Sequence, residues 1–222
     1  MKKYWDSFNK KTLAISLIIG LIGTVLANFG IGCYYGCGLG TDPISVYVDG
    51  LHVLSGLTYG QISTINNVIL TILIIIFERR HLGIMTVLTV FISGPLIDVF
   101  TELIARLFPL ETTPLAVRMI LLAVALITFA VGTGLIVACK MGIGCFSFLP
   151  IWLSDLTHIS LSYTQMFTDA CFLLVGWLMG GVVGIGTIVG VLGTGPILNW
   201  SLKKTEQYLA RFEPLAASQV LT

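Results

Sequence analysis

The sequence predicts an all-α membrane protein with six transmembrane helices, arranged as two inverted three-helix repeats that each contain a short re-entrant or interfacial helix. Three observations lead to this fold class: the composition, the lengths of the apolar stretches, and an internal repeat. Of the 222 residues, 56% are hydrophobic and only 10% are charged, and the mean hydropathy is +0.97. Soluble domains average about 25% charged residues. Most of the surface must therefore face lipid.

Six apolar stretches are long enough to cross a bilayer. A helix needs roughly 20 apolar residues to span the ~30 Å hydrocarbon core. Two further apolar pieces, 43–56 and 144–159, are too short to span it comfortably, because 13 helical residues cover only about 20 Å. We expect these two inserts to be re-entrant or interfacial. The predicted spans are 13–35, 60–78, 83–105, 117–139, 162–180 and 184–202.

The chain matches itself in two halves. "LTYGQ" at 57–61 corresponds to "LSYTQ" at 161–165, an offset of 104 residues that also pairs Gly40 with Gly144. A Gly-Pro block repeats at an offset of 101 residues. Because each half has an odd number of spans, the second half enters the membrane from the opposite side, as in many transporter folds. The predicted divisions are an N-terminus at 1–12, repeats at 13–107 and 117–203, and a C-terminal tail at 204–222.

The basic residues predict the orientation. Cytoplasmic loops carry an excess of Lys and Arg, and a six-span chain with both termini in the cytoplasm places ten basic residues inside and two outside. We therefore expect a multi-pass protein of the bacterial cytoplasmic membrane. The inside set is Lys2, Lys3, Lys10, Lys11, Arg79, Arg80, Lys140, Lys203, Lys204 and Arg211, and the outside set is Arg106 and Arg118.

Each insert carries an Asp-x-x-His pair: Asp49 with His52, and Asp155 with His158. Residues three apart share a helix face, and an ionisable group at membrane depth is a candidate for function. We expect the two pairs to converge on one water-filled cavity. The alternative is that both pairs lie at solvated helix ends in the headgroup region.

Polar residues early in spans two and five are further candidates for binding a solute. Gln61 and Gln165 match across the halves, Asn66 follows Gln61, and Asp169 lies about two turns into its span. The alternative function for such groups is hydrogen bonding between helices.

The Gly-Pro blocks lie inside spans three and six. Proline removes one helical hydrogen bond and clashes with a carbonyl of the preceding turn, so each block predicts a kink that exposes a backbone oxygen. Asp98 and Asn199 follow three residues later and complete the candidate binding residues. A kink that serves packing alone is the alternative. The kink residues are Gly94, Pro95, Gly195 and Pro196.

Several classes of function find no support in the sequence. It contains no zinc, serine-triad or P-loop signature, so we expect no enzyme activity, no metal and no cofactor, and the small net charge of +1 indicates no nucleic-acid partner. The five cysteines show no disulfide spacing. Small buried hydrophobic side chains are the favoured interpretation, with a metal or redox role of Cys33 and Cys37 as the alternative.

A few landmarks resemble a known group of proteins. The glycine-rich exit of span one, the turn in "GLGTDPISVYVDGLH", the "LTYGQ" turn and the Gly-Pro block are similar to those of the YczE/YyaS/YitT group of bacterial membrane proteins. The resemblance covers most of residues 13–202. An aromatic residue often follows the loop proline in that group, whereas Ile44 follows Pro43 here. The resemblance implies a polytopic cytoplasmic-membrane protein and no particular substrate.

Together these features predict a protein that binds or moves a small solute in the bilayer, with proton coupling through His52, His158 and nearby aspartates. Two alternatives stay open: a non-transporting membrane scaffold, and a substrate-binding subunit that needs a separate energising partner. A homodimer or a partner membrane protein is compatible with each of these functions.

Overall fold

The computed structural model describes residues 10–77, 83–142, 144–159 and 161–210, and within these ranges the regular structure is helical. The predicted short helices occur where the two inserts were expected. The elements are α1 (Lys10–Cys37), α2 (Pro43–Ser55), α3 (Tyr59–Phe77), α4 (Ile84–Leu107), α5 (Leu115–Ala138), a 3₁₀ helix (Cys145–Ser147), α6 (Phe148–Thr157), α7 (Leu161–Leu178) and α8 (Ile185–Ala210).

Five of the described helices are long and apolar enough to cross a membrane, so the chain is an integral membrane protein. The sixth predicted span, α7, has 18 residues and carries Gln165 and Asp169 in its first half, which makes it shorter and more polar than the others. The five are Ala14–Cys37 within α1, Tyr59–Phe77, Ile84–Leu107, Leu115–Ala138 and Ile185–Ala210.

Two helices extend past the predicted divisions at the two ends of the chain. α1 begins at Lys10, inside the predicted N-terminal segment 1–12. α8 continues to Ala210, so the first residues of the predicted tail, from position 204, are helical. Residues 1–9, 78–82 and 211–222 lie outside the described residues. They include several of the basic residues on which the predicted orientation depends.

α1 and α5 cross with their backbones in close contact. A side chain at Gly30 would meet the Ala125 carbonyl oxygen at 2.8 Å, and one at Gly132 would meet the Gly23 carbonyl oxygen at 2.6 Å. The contacts run in opposite order along the two helices, which are therefore antiparallel. They are also reciprocal. Adding 102 to the numbers of Gly30 and Gly23 gives Gly132 and Ala125, so each contact maps onto the other.

The flanking helices follow the same relation. α4 packs along α1, and α8 packs along α5. A Cβ at Gly32 would lie 2.7 Å from the Phe100 Cβ, and one at Gly134 would lie 2.7 Å from the Ser201 Cβ. These pairs correspond at offsets of 102 and 101 residues. Small residues at such interfaces let helix backbones approach closely in lipid, where association depends on van der Waals contact.

In each half, the backbone after the first helix is hydrogen-bonded to the start of the last helix of the other half. The Gly186 amide donates to the Leu39 carbonyl at 2.8 Å, and the Met85 amide donates to the Met141 carbonyl at 3.2 Å. Leu39 and Met141 follow the first helix of each half, and Met85 and Gly186 begin the last. The two junctions are equivalent, so the halves interlock at both ends.

The junctions correct the alignment of the glycines. Gly40 and Gly142 both have left-handed backbones, with φ of 94° and 131°, and Gly38 and Lys140 do so two residues earlier, with φ of 59° and 52°. Such backbones favour glycine. The structural partner of Gly40 is therefore Gly142, at an offset of 102, and not Gly144 as predicted.

The two inserts lie at opposite ends of α3. The His52 ring of α2 lies 4.2 Å from the ring of Tyr59, the first residue of α3, whereas the Trp152 ring of α6 lies 5.5 Å from that of Phe77, the last. At 1.5 Å per residue these ends are about 27 Å apart. The prediction that the two inserts converge on one cavity is therefore wrong, because α3 separates them.

α2 packs along the C-terminal half of α7. The contacts advance together along both helices, so α2 and α7 run parallel, and the N-terminus of α2 faces the middle of α7. Its C-terminus lies near the end of α7. The contacts that set this direction are Tyr47 with Phe172, Gly50 with Met179 and Val53 with Gly180.

The two halves differ in how their last two helices meet. α3 packs along α4, where a side chain at Gly94 would lie 2.7 Å from the Gly60 carbonyl oxygen. α7 and α8 make no comparable contact, and no described atom lies within 4 Å of a side chain built at Gly195. Pro95 and Pro196 both lie inside their helices, as predicted. The Gly-Pro block of α4 therefore packs closely against α3 (closed), whereas the block of α8 does not pack against α7 (open).

The difference predicts unequal effects of matched substitutions. Gly94→Ala should destabilise the protein by about 1–3 kcal/mol, because the new methyl group overpacks α3 against α4. Gly195→Ala, which also precedes a proline within a helix, should leave stability nearly unchanged. Thermal denaturation of both variants in detergent measures the difference. Equal melting temperatures would contradict the closed and open arrangement.

Candidate functional site

Asp49 on α2 is buried and fully engaged. The Tyr59 hydroxyl donates to its Oδ1 at 3.1 Å, and the Val182 amide donates to its Oδ2 at 2.7 Å. Asp49 therefore ties the insert of the first half to α3 and to the connection between α7 and α8. These contacts give it a structural role, and its part in binding a solute stays a prediction.

His52 belongs to an aromatic cluster beside Asp49. Its Nδ1 lies 2.6 Å from the Leu57 carbonyl oxygen, and its ring packs on Tyr59. The ring of Tyr35 on α1 stacks on Tyr59 at 3.8 Å, and its hydroxyl donates to the Ser45 carbonyl at 3.2 Å. The cluster fixes α2 against α1 and α3.

Asp155 and His158 do not occupy the equivalent positions. His52 interacts with the carbonyl five residues on, and in the second half Ser154 makes that bond, donating to the Ile159 carbonyl at 2.7 Å. His158, with φ of 57°, stands where Gly56, with φ of 69°, ends α2. Both Asp155 and His158 are exposed. The repeated Asp-x-x-His spacing is therefore a coincidence of sequence, four residues out of the structural register.

Gln61 and Asp98 both serve the N-terminus of α3. The Thr58 amide donates to the Gln61 side chain at 3.0 Å, and the Gln61 amide donates to the Thr58 hydroxyl at 3.2 Å. This reciprocal pair is a capping box. Asp98 on α4 accepts from the Thr58 hydroxyl at 2.7 Å and from the Gly60 amide at 2.8 Å. The "LTYGQ" motif is thus a helix start that α4 holds in place.

The remaining candidates are dispersed. Gln165 lies one turn inside α7 and donates to both carboxylate oxygens of Asp169, at 3.1 and 3.2 Å. The side-chain nitrogen of Asn66 on α3 is buried without a hydrogen-bond partner among the described residues. Asn199 on α8 is exposed. The structure therefore does not gather the predicted residues into one site.

A polar cluster that the sequence analysis missed lies where α1, α2 and α8 meet. Asp42 caps α2, with its Oδ2 accepting from the Ser45 amide at 3.3 Å, while its Oδ1 is buried without a partner. A Cβ at Gly190 would lie 3.5 Å from the Asp42 Cα and 3.6 Å from the Tyr34 hydroxyl. The hydroxyls of Tyr34 and Thr194 approach each other without reaching hydrogen-bond geometry, and both are buried.

Asp169 faces this cluster from α7. The Tyr47 ring of α2 packs 5.3 Å from that of Phe172, and one turn earlier on each helix the parallel register brings Asp42 toward Asp169. Burial raises the pKa of the Asp42 carboxyl, which lies between α1 and α2; the hydrogen bonds from Ser45 oppose the rise, and the charge of Asp169 adds to it. The carboxyl groups of the buried Asp42 and the half-buried Asp169 therefore lie on facing helices, close enough for their charges to interact.

The cluster was missed because Asp42 has the sequence signature of a helix cap. An Asp directly before a Pro at the first helical position is common at helix starts, and nothing in "TDP" distinguishes a cap at the surface from one inside the bundle. In the described ranges, no group of three His, Cys, Asp or Glu side chains could hold a metal ion. Cys33, Cys37, Cys139 and Cys145 are buried and Cys171 is exposed.

Comparison with known proteins assigns the chain. Residues 14–203 match a family of unknown function, DUF6198. The chain belongs to this family. It is 26% identical over 187 residues to the uncharacterized protein YyaS of Bacillus subtilis, covering 84% of the chain and 92% of YyaS. It is 27% identical over 201 residues to the uncharacterized membrane protein YczE of the same organism, covering 90% and 91%. No solved structure matches. The resemblance to the YczE/YyaS group is confirmed.

Asp49 and Asp155 should respond differently to the same substitution. Asp49→Ala removes the acceptor of the half-buried Tyr59 hydroxyl and of the Val182 amide, so the protein should lose about 1–3 kcal/mol of stability. Asp155→Ala, at an exposed helix end, should be nearly neutral. The melting temperatures of the two variants in detergent test this. A comparable decrease in both would contradict the different structural roles of Asp49 and Asp155.

Proposed function

We propose that this protein moves a small solute across the bacterial cytoplasmic membrane, with six spans arranged as two inverted halves. The antiparallel crossing of α1 and α5 supports the inversion. Because these helices are equivalent, the axis that relates the halves is perpendicular to them and lies in the membrane plane. Inverted repeats of this kind place solute sites at the interface of the halves.

The observation that carries the proposal is the buried polar cluster around Asp42. Asp169, the ninth residue of α7, is about 12 Å from the start of that helix at 1.5 Å per residue. The N-terminus of α2, which faces it, therefore lies deep in the bundle, as in a re-entrant helix. Non-helical backbone at that depth is tolerated where it is buried in protein or lines a wet cavity.

The open flank between α7 and α8 supports the same function. The closed contact of α3 with α4 has no counterpart there, so the gap that we propose for solute entry is the separation between α7 and α8. A solute reaching the cluster through this gap requires no catalytic step, and the proposal includes none. Proton coupling would act through carboxyl groups at this site.

Labelling of two equivalent positions tests the inverted arrangement. Ser55 and Thr157 end the two inserts, are exposed, and each donates to the carbonyl four residues back. In a cysteine-free background, Ser55→Cys should react with a membrane-impermeant maleimide in whole cells. Thr157→Cys should react only after the cells are permeabilised. Labelling of both from the same face would overturn the inverted repeat.

Solute movement is tested in proteoliposomes. Radiolabelled choline, glutamate and glucose represent cationic, anionic and neutral solutes, each driven by a membrane potential or by a pH gradient of either sign. At least one class should enter faster than in protein-free liposomes, and a response to the pH gradient would indicate proton coupling. If no class does so, transport is overturned and a scaffold or a dependent binding subunit takes its place.

A further inference from the structure

The acidic groups of the buried cluster have no basic partner in the part of the chain that the structure describes. The ion pairs found there join Arg106 to Glu102 and Lys140 to Glu206, and neither involves Asp42 or Asp169. A buried carboxylate is costly unless it is paired or hydrogen-bonded. Asp42 has one of its two oxygens satisfied. A proton or a bound cation would therefore stabilise the unpaired Oδ1.

The other polar atoms of the cluster are oxygens that also lack partners. Tyr34 has no exposed surface and Asp42 is 7% exposed, so neither the Tyr34 hydroxyl nor the Asp42 Oδ1 has access to bulk water. The Thr194 hydroxyl is unpaired beside them. The amide of Ser45, a donor that an anion could have used, is occupied by Asp42 itself. Each hydroxyl can turn its hydrogen away and present its oxygen, so these oxygens can serve as ligands to a cation.

The fold does not require these charges. At the offset of 102 residues that relates the halves, Asp42 corresponds to Gly144 and Asp169 to Asn67. Gly144 precedes its helix without a side-chain cap. The insert of the second half therefore forms without a carboxylate at the position of Asp42, and α3 carries an amide at the position of Asp169. The acid pair, with one member from each half, occurs at only one of the two equivalent places, and this favours a role other than folding.

We infer that Asp42, Asp169, Tyr34 and Thr194 form a binding site for a small monovalent cation, either an inorganic ion or the ammonium group of an organic solute. This inference rests on the proposed function, because it names the class of solute or coupling ion that the same cluster takes. Gln165 positions the Asp169 carboxylate by donating to both of its oxygens. A Cβ at Gly190 would already contact the Asp42 Cα and the Tyr34 hydroxyl, so a larger side chain at this position would occupy the space beside them.

Titration of the purified protein in detergent tests the site without reference to transport. The probes are sodium chloride and choline chloride, each added alone at constant osmolarity, and the signal is the fluorescence of Trp177 on α7 and Trp200 on α8. At least one probe should saturate. Sodium alone indicates an inorganic ion, choline alone indicates an ammonium group, and both together indicate selection by charge. Saturation by neither probe overturns the site.

Four variants locate the binding. Asp42→Asn and Asp169→Asn should each weaken it at least tenfold, whereas Asp155→Asn, which removes an exposed carboxylate at the other end of the molecule, should bind as the unmodified protein does. Gly190→Leu keeps both acids and fills the space between Asp42 and Tyr34, and it should also abolish binding. Size-exclusion chromatography and melting temperature report whether each variant is folded. The proposal is overturned if the Asp42, Asp169 and Gly190 variants that remain folded bind the cation as the unmodified protein does.

Binding should weaken as the pH falls, because a proton on Asp42 competes with the cation. The titratable groups that face Asp42 are Asp169 from α7 and Tyr34 and Tyr35 from α1; the tyrosines stay neutral, so the carboxyl pair determines the effect. An affinity independent of pH between 5 and 8 would contradict the competition. Cation binding without solute movement in liposomes would overturn the transport function and keep the site. Solute movement that is unaffected by Asp42→Asn and Asp169→Asn would overturn the site and keep the transport function.

Discussion

The packing of α1 against α5 through glycine is the contact on which the rest of the bundle depends. Lipid chains are as apolar as the helix surfaces, so burial from water contributes little to association, and close van der Waals contact must replace it. Gly23, Gly30 and Gly132 bring the two backbones into contact. That contact fixes the antiparallel direction of α1 and α5, and α4 then packs along α1 while α8 packs along α5.

Because the halves interlock at their ends, the polar connections are held inside the protein. The exits of α1 and α5 accept backbone hydrogen bonds from the starts of α8 and α4, which satisfies groups that lipid could not. This arrangement gives Asp42 its depth. The chain leaves α1, turns through Gly38 and Gly40 with left-handed backbones, and begins α2 beside the first turns of α8. The depth of the proposed site follows from the way the helices are joined.

Hydropathy and glycine spacing were enough to predict the helices, the two short inserts and the proline positions, because those depend on local composition. The pairing of residues across the halves was less accessible. Matching letters aligned Asp49 with Asp155 at an offset of 106, whereas matching φ angles and hydrogen bonds give 102. Gln165 likewise lies two residues deeper than Gln61, and so it bonds Asp169 instead of capping its helix. Which polar residue is buried depends on packing between helices that are distant in sequence. One amino-acid sequence on its own does not show that packing.

The unequal lengths of the helices also determine how the protein meets the bilayer. α1, α4, α5 and α8 contain 24 to 28 residues and exceed the ~30 Å hydrocarbon core even when tilted. α3 and α7 contain 19 and 18 residues, which is about 27 Å. A helix of this length that crosses a bilayer has no turn to spare, so tilt brings its ends into the hydrocarbon or thins the lipid around them. A change in bilayer thickness should therefore affect these shorter helices before it affects α1, α4, α5 and α8.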